Sequence, residues 1–113
     1  MGYDTLIGHF DYGGAEYSFV TTSELKFEQY MGRWKSRIHV QTGSETVRDI
    51  LQEIFVHSLK FKIKFDLRKG KIKFVYVHDC QIYRLNPYPF GARAEIEGYM
   101  EPSDYMREKV EFT

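Results

Sequence analysis

A single cysteine in 113 residues leaves no partner for an internal disulfide. Small secreted domains usually carry several, so Cys80 alone points to a reducing, cytoplasmic compartment. There is no run of about eighteen apolar residues, the least a helical membrane span requires. The opening Met1-Gly2-Tyr3-Asp4 lacks the basic-then-apolar order of a secretory leader, and Leu6 stands where a myristoylation signal takes Ser or Thr. Net charge is zero, which removes any whole-molecule attraction for nucleic acid or an acidic membrane. Prolines number three, and there is no repeat, low-complexity tract or Pro/Ser-rich linker, so one domain over 1–113 is expected. Gly-rich phosphate loops and the C-x-x-C and H-x-x-x-H spacings are missing, so neither a cofactor nor a metal is expected.

What the chain does have is aromatic side chains and unevenly placed charge. Nine Tyr, nine Phe and one Trp make it 17% aromatic. Such residues favour strands and supply large buried areas, and Tyr is also enriched at interfaces because one end tolerates water. Residues 60–77 hold seven bases (Lys60, Lys62, Lys64, Arg68, Lys69, Lys71 and Lys73) against one acid, Asp66. The flanking segments 1–59 and 78–113 each carry a net −3. Positive charge is thus concentrated in one short stretch of a neutral protein.

The elements read as follows. Gly13-Gly14 suits a two-residue hairpin turn, and that loop pairs Tyr12 with Ala15, Phe10 with Tyr17, Gly8 with Phe19 and Leu6 with Thr21. Residues 22–34 are ambiguous between a short helix capped by Ser23 and ended by Gly32, and a strand. Arg37-Ile38-His39-Val40 alternates as a strand. A helix over about 43–59 is announced by a Thr42…Glu45 capping box, with Val47, Ile50, Leu51, Ile54, Phe55 and Leu59 as its apolar stripe. A second hairpin, 61–78, is expected to pair Leu67 with Ile72, Phe65 with Phe74, Ile63 with Tyr76 and Phe61 with His78. That register puts the rings inside and the lysines outside. Residues 81–85 continue as a strand, 86–91 form a Pro-stiffened loop, 92–100 alternate again, 101–104 turn, and 110–113 add a short strand. The fold class expected is α+β: a two-layer antiparallel sheet of about five to seven strands, with hairpins 5–21 and 61–78, packed on one amphipathic helix.

Two places invite a functional reading. Lys60, Lys62, Lys64, Arg68, Lys69, Lys71 and Lys73 would form a basic face, suited to an acidic protein surface or to the phosphates of single-stranded nucleic acid. Lysines that guard a sheet edge account for the same pattern. Tyr83, Tyr88 and Phe90, on a stiff loop, would lose little entropy on binding, unless they fold back as lids on the core. His78-Asp79-Cys80 holds base, carboxylate and nucleophile types together, but strand geometry keeps His78 and Cys80 about 6.6 Å apart and turns Asp79 away. Glu95 and Glu97 share a face with Arg93, as a surface ladder would. The function expected is a non-enzymatic protein-interaction module, such as an inhibitor, adaptor or assembly subunit, that uses the basic hairpin and the aromatic loop. Single-stranded nucleic-acid binding through the same hairpin is the alternative, a Cys/His-dependent enzyme comes third, and self-association into a homo-oligomer stays open.

Overall fold

Gly13 and Gly14 have φ of 59° and 84°, angles that a missing Cβ permits without strain, and they close the first hairpin as expected. Strands β1 (Ile7–Tyr12) and β2 (Ala15–Thr21) pair in the anticipated register, with Tyr12 opposite Ala15, Phe10 opposite Tyr17 and Gly8 opposite Phe19. The computed structural model describes residues 5–66 and 74–100. The remaining elements are β3 (Phe27–Tyr30), β4 (Arg33–Thr42), α1 (Glu45–Val56), β5 (Phe61–Asp66), β6 (Phe74–Tyr88) and β7 (Gly91–Met100).

The expected two-layer α+β sandwich is not what forms. The strand order is β2-β1-β5-β6-β7-β4-β3, and β2 also pairs with β4 through Val20–Gln41 and Thr21–Val40. Six antiparallel strands therefore close on themselves as a barrel, with β3 attached outside the ring on β4. The sheet's apolar face meets its own far side and not a helix layer. Phe10, Phe19, Ile38, Val40, Ile63, Phe65, Val75, Val77, Ile82 and Ile96 fill the interior. Closure is helped by bulges that sharpen twist, two of them in the 15-residue β6 between His78 and Gln81 and between Ile82 and Arg84.

Two boundaries also differ, and one open reading is decided. Of the two readings of residues 22–34 the strand holds, as β3, because Met31-Gly32, with φ of 48° and 79°, turns β3 back onto β4. Residues 86–88 belong to β6, and only Pro89-Phe90 turn before β7. Pro87 is tolerated in a strand here because β5 leaves β6 at Cys80, so that flank needs no donor. The helix is shorter than expected. Ser44, not Thr42, accepts from the Val47 N–H, while Thr42 Oγ1 accepts from the Ser44 N–H. At the other end Ser58 (φ 51°) and Leu59 donate to the carbonyls of Phe55 and Ile54, a Schellman closure that strands Phe55, Val56 and Leu59 in solvent. Val47, Ile50, Leu51 and Ile54 remain as the buried stripe, mainly against β6 and β7.

No helix among the described residues is long and apolar enough to cross a membrane. The expected Leu67–Ile72 pair, the 101–104 turn and the 110–113 strand lie outside the described residues.

Gly91 begins β7 with its backbone pressed against the backbone of Thr42 and Gly43, so an added Cβ would collide with main chain. Gly91→Ala should cost about 1–3 kcal/mol and lower Tm by roughly 5–15 °C. Gly43→Ala, which meets open space, should stay within about 0.5 kcal/mol. Thermal unfolding of both variants checks the contrast.

Candidate functional site

The second hairpin folds out of the expected register, by one residue at Phe65 and Ile63 and, past a bulge, by two at Phe61. Phe65 faces Val75, Ile63 faces Val77 and Phe61 faces Cys80, in place of Phe74, Tyr76 and His78. The cause is room. A six-stranded barrel is narrow, its interior already holds Phe10, Phe19 and Phe65, and slim Val75, Val77 and Cys80 fit where three more rings would not. A shift of one residue exchanges the faces of a strand. Phe74 and Tyr76 consequently stand outside, 42% and 43% exposed, on the same wall as Lys62 and Lys64.

Each lysine has found a ring. Lys62 Nζ lies 4.9 Å from the Tyr76 centroid and Lys64 Nζ 4.8 Å from that of Phe74. The neighbours extend the pattern. His78 follows Tyr76 with centroids 6.4 Å apart, and His78 is paired with Tyr99 of β7. Tyr99 lies 6.5 Å from Tyr30 of β3. The Arg33 guanidinium sits 4.7 Å over Tyr99 and Lys35 Nζ 4.7 Å over Tyr30. Five rings (Phe74, Tyr76, His78, Tyr99 and Tyr30) thus form one outer track with a cation at four of them. Acids border it: Asp66 opposite Phe74, Glu16 3.8 Å from Lys64, Asp79 2.8 Å from Arg33 and Glu97 3.3 Å from Lys35.

The track was invisible in sequence, because its members come from β3, β4, β5, β6 and β7 and no local spacing connects them. Of the basic residues singled out there, Lys62 and Lys64 join it, Lys60 is exposed just before β5, and Arg68, Lys69, Lys71 and Lys73 lie outside the described residues. Protection of a sheet edge does not explain Lys64, since β5 is paired on both sides, with β1 and β6.

Tyr83, Tyr88 and Phe90 are not lids on the core. Tyr88 and Phe90 sit at the β6–β7 turn, at the opposite end of β6 from Phe74, so the basic hairpin and the aromatic loop form no common surface. Arg48 Nη1 donates to the carbonyls of Tyr88 (3.2 Å) and Pro89 (2.7 Å), and holds the turn with Phe90 74% exposed. Tyr83 belongs to a separate ladder across β4, β7 and β6. Its hydroxyl donates to Glu95 at 3.2 Å, and partial burial together with that carboxylate pushes its ionisation up. Glu95 also takes Arg84, and Glu97 takes Lys35 and Arg37, each at 3.3 Å. Those two acids are ion-paired and form no acid/base couple.

His78-Asp79-Cys80 does not assemble a catalytic group. Asp79 (φ 52°) is the bulge residue, and it turns His78 outward to the track and Cys80 inward. The Cys80 thiol is fully buried, bonds the Val77 carbonyl at 3.3 Å, and is pushed up in pKa by desolvation, so no thiolate is available. The Arg33 hydrogen bond holds the Asp79 carboxyl below its ordinary range. Among the described residues no group of three His, Cys, Asp or Glu could hold a metal ion. An open groove of about 410 Å³ runs between the Gly13 turn and α1, lined by Tyr12, Tyr17, Asp49, Ile50 and Glu53. Its carboxylates are answered within the chain, Asp49 by Arg48 (2.9 Å) and Glu53 by His57 (3.1 Å).

Compared with known proteins, the chain matches no family model, no curated protein and no solved structure.

Burial of Cys80 has a pH consequence. Above its ordinary value of 9.0 an unfolded chain loses a proton that the folded chain keeps, so stability falls as pH rises. The slope from this group approaches about 1.4 kcal/mol per pH unit. Cys80→Ala removes it while leaving every Lys and Tyr in place. In urea unfolding, the stability advantage of the native chain over Cys80→Ala should shrink from about pH 8 to about pH 10; a constant difference would contradict a buried thiol.

Proposed function

We propose that the chain is a non-enzymatic binding module that docks an anionic macromolecule on the outer wall of β5 and β6. The observation that carries this reading is the pairing of exposed rings with ammonium groups on strands inside a closed barrel. Large rings are normally buried, and here the barrel turns Phe74 and Tyr76 to water beside Lys62 and Lys64. Closure of the barrel forces the two rings outward, and each cation–ring contact, about 0.5–1 kcal/mol at an exposed site, is weak enough for a ligand to replace. A docked anion would gain charge-assisted contacts from the lysines and ring surface from the aromatics, in one patch.

The attraction is local. The whole chain is neutral, and a Debye length near 8 Å at physiological salt confines the effect to ligands already close to the wall. Phe90 offers a second, separate contact: a ring on a turn immobilised by Arg48 and Pro89 loses little freedom when a protein surface covers it.

Retention on immobilised heparin tests the wall. The native chain should be retained at low salt, and Lys62→Glu/Lys64→Glu should elute at distinctly lower salt. Lys26→Glu, an equal-sign change at an exposed site off the wall, should behave as the native chain does. Co-elution of the double variant with the native chain would remove the wall as the docking face.

A further inference from the structure

We propose that the ligand of this wall is single-stranded nucleic acid, held extended along the five-ring track with one base on each ring. The inference rests on the docking face argued above and names what it takes. Ring spacing is its first support. The steps between ring centroids are 6.4 Å from Tyr76 to His78 and 6.5 Å from Tyr99 to Tyr30. Phe74 and Tyr76 are two residues apart on one strand, about 6.6–6.8 Å. All three steps are close to twice the 3.4 Å rise of a stacked strand, so stacked bases fall out of step with the rings. An extended strand whose bases are splayed apart stays in step. A duplex, with its bases turned inward, presents no faces to stack.

Cation placement is the second support. Lys64, Lys62, Arg33 and Lys35 each lie 4.7–4.9 Å from a ring centroid. On Phe74, Tyr76 and Tyr30 a base displaces the flexible lysine stem sideways, towards the phosphate that accompanies that base, whereas at Tyr99 it stacks on the Arg33 guanidinium that Asp79 holds over the ring. An aromatic plane with a neighbouring cation, repeated along a line, is the combination that sequence-tolerant single-strand binders use. An acidic protein surface offers carboxylates but few planar faces. The rim is mixed in charge, with Lys62, Lys64, Arg33 and Lys35 beside Glu16, Asp66, Asp79 and Glu97, so the open ring faces, and not the rim, distinguish a base-bearing ligand from a carboxylate-bearing one. Glu16 and Asp66 close the β1 side, while on the path along β6 and across β7 to β3 the carboxylates of Asp79 and Glu97 are answered by Arg33 and Lys35.

The test uses fluorescence anisotropy of the whole chain at low salt with labelled oligothymidylates of increasing length, a blunt duplex and poly-glutamate. Affinity should climb with length to about five nucleotides, one per ring, and then flatten. It should fall steeply between about 50 and 200 mM salt. Tyr76→Ala and Tyr30→Ala, both at exposed rings, should each weaken binding by about tenfold or more, while Tyr76→Phe stays near native. Tyr83→Ala removes an exposed ring off the track and should change nothing; unaltered melting of each variant confirms folding. Tighter binding of poly-glutamate than of any oligonucleotide, or ring variants without effect, would overturn the nucleic-acid assignment. Absence of oligonucleotide binding alongside intact heparin retention would overturn it too, and leave the docking face standing. Loss of both would end both proposals.

Discussion

Closure of the barrel is the constraint on which the other features depend. Two residue pairs, Val20–Gln41 and Thr21–Val40, join β2 to β4 and turn an open sheet into a ring. A ring of six strands encloses one crowded column of side chains, with no second layer to receive extra bulk. Phe10, Phe19 and Phe65 already occupy that column, with Gly8 leaving space beside them: a Cβ there would meet both Phe19 and Phe65. Every other large ring must go to an end or to the outside. The exposed aromatics are therefore a consequence of closure and of a composition with more rings than the interior holds.

The parts that could be read from sequence are those where only one solution satisfies local chemistry. Gly13-Gly14 admits the positive φ of a two-residue turn, and the register of β1 and β2 follows from it. The apolar stripe of α1 is fixed by its 3.6-residue period, although its cap moved two residues because Ser44 serves the orphan N–H groups as well as Thr42 could. Register failed in the second hairpin for an equally physical reason. In Phe74-Val75-Tyr76-Val77 both faces of the strand are apolar, so alternation gives no preference, and the larger rings were expected inside. Only the volume of the closed interior decides between the faces, and volume is a tertiary property.

The same limit applies to residues 22–34 and 86–91. Met31-Gly32 makes a hairpin turn although methionine rarely takes φ of 48°, and Arg33, at the first position of β4, is tied to the Asp79 bulge 46 residues away. Neither half of that link is meaningful alone. The bulge gives the carboxylate its outward direction, and the arginine gives the β3–β4 turn a fixed place against β6 and β7. Asp79 thus has a structural task, which also explains why His78 and Cys80 point to opposite sides and form no dyad.

Charge on a neutral molecule is distributed by partner and not by amount. Across β4, β6 and β7 the cations Arg37 and Arg84 meet carboxylates, Glu97 and Glu95, and those walls are internally balanced. Along the track Lys62, Lys64, Arg33 and Lys35 meet ring faces, and three of them meet a carboxylate as well, Lys64 that of Glu16, Arg33 that of Asp79 and Lys35 that of Glu97. A carboxylate cancels an ammonium for any approaching anion, whereas a ring quadrupole weakens its field only slightly and stays flat and open beside it. The track therefore differs from those walls in its exposed ring faces more than in unpaired charge. Because bulges in β6 and the outlying β3 bring these rings into line, the position of the track is set by the shape of the barrel more than by net charge.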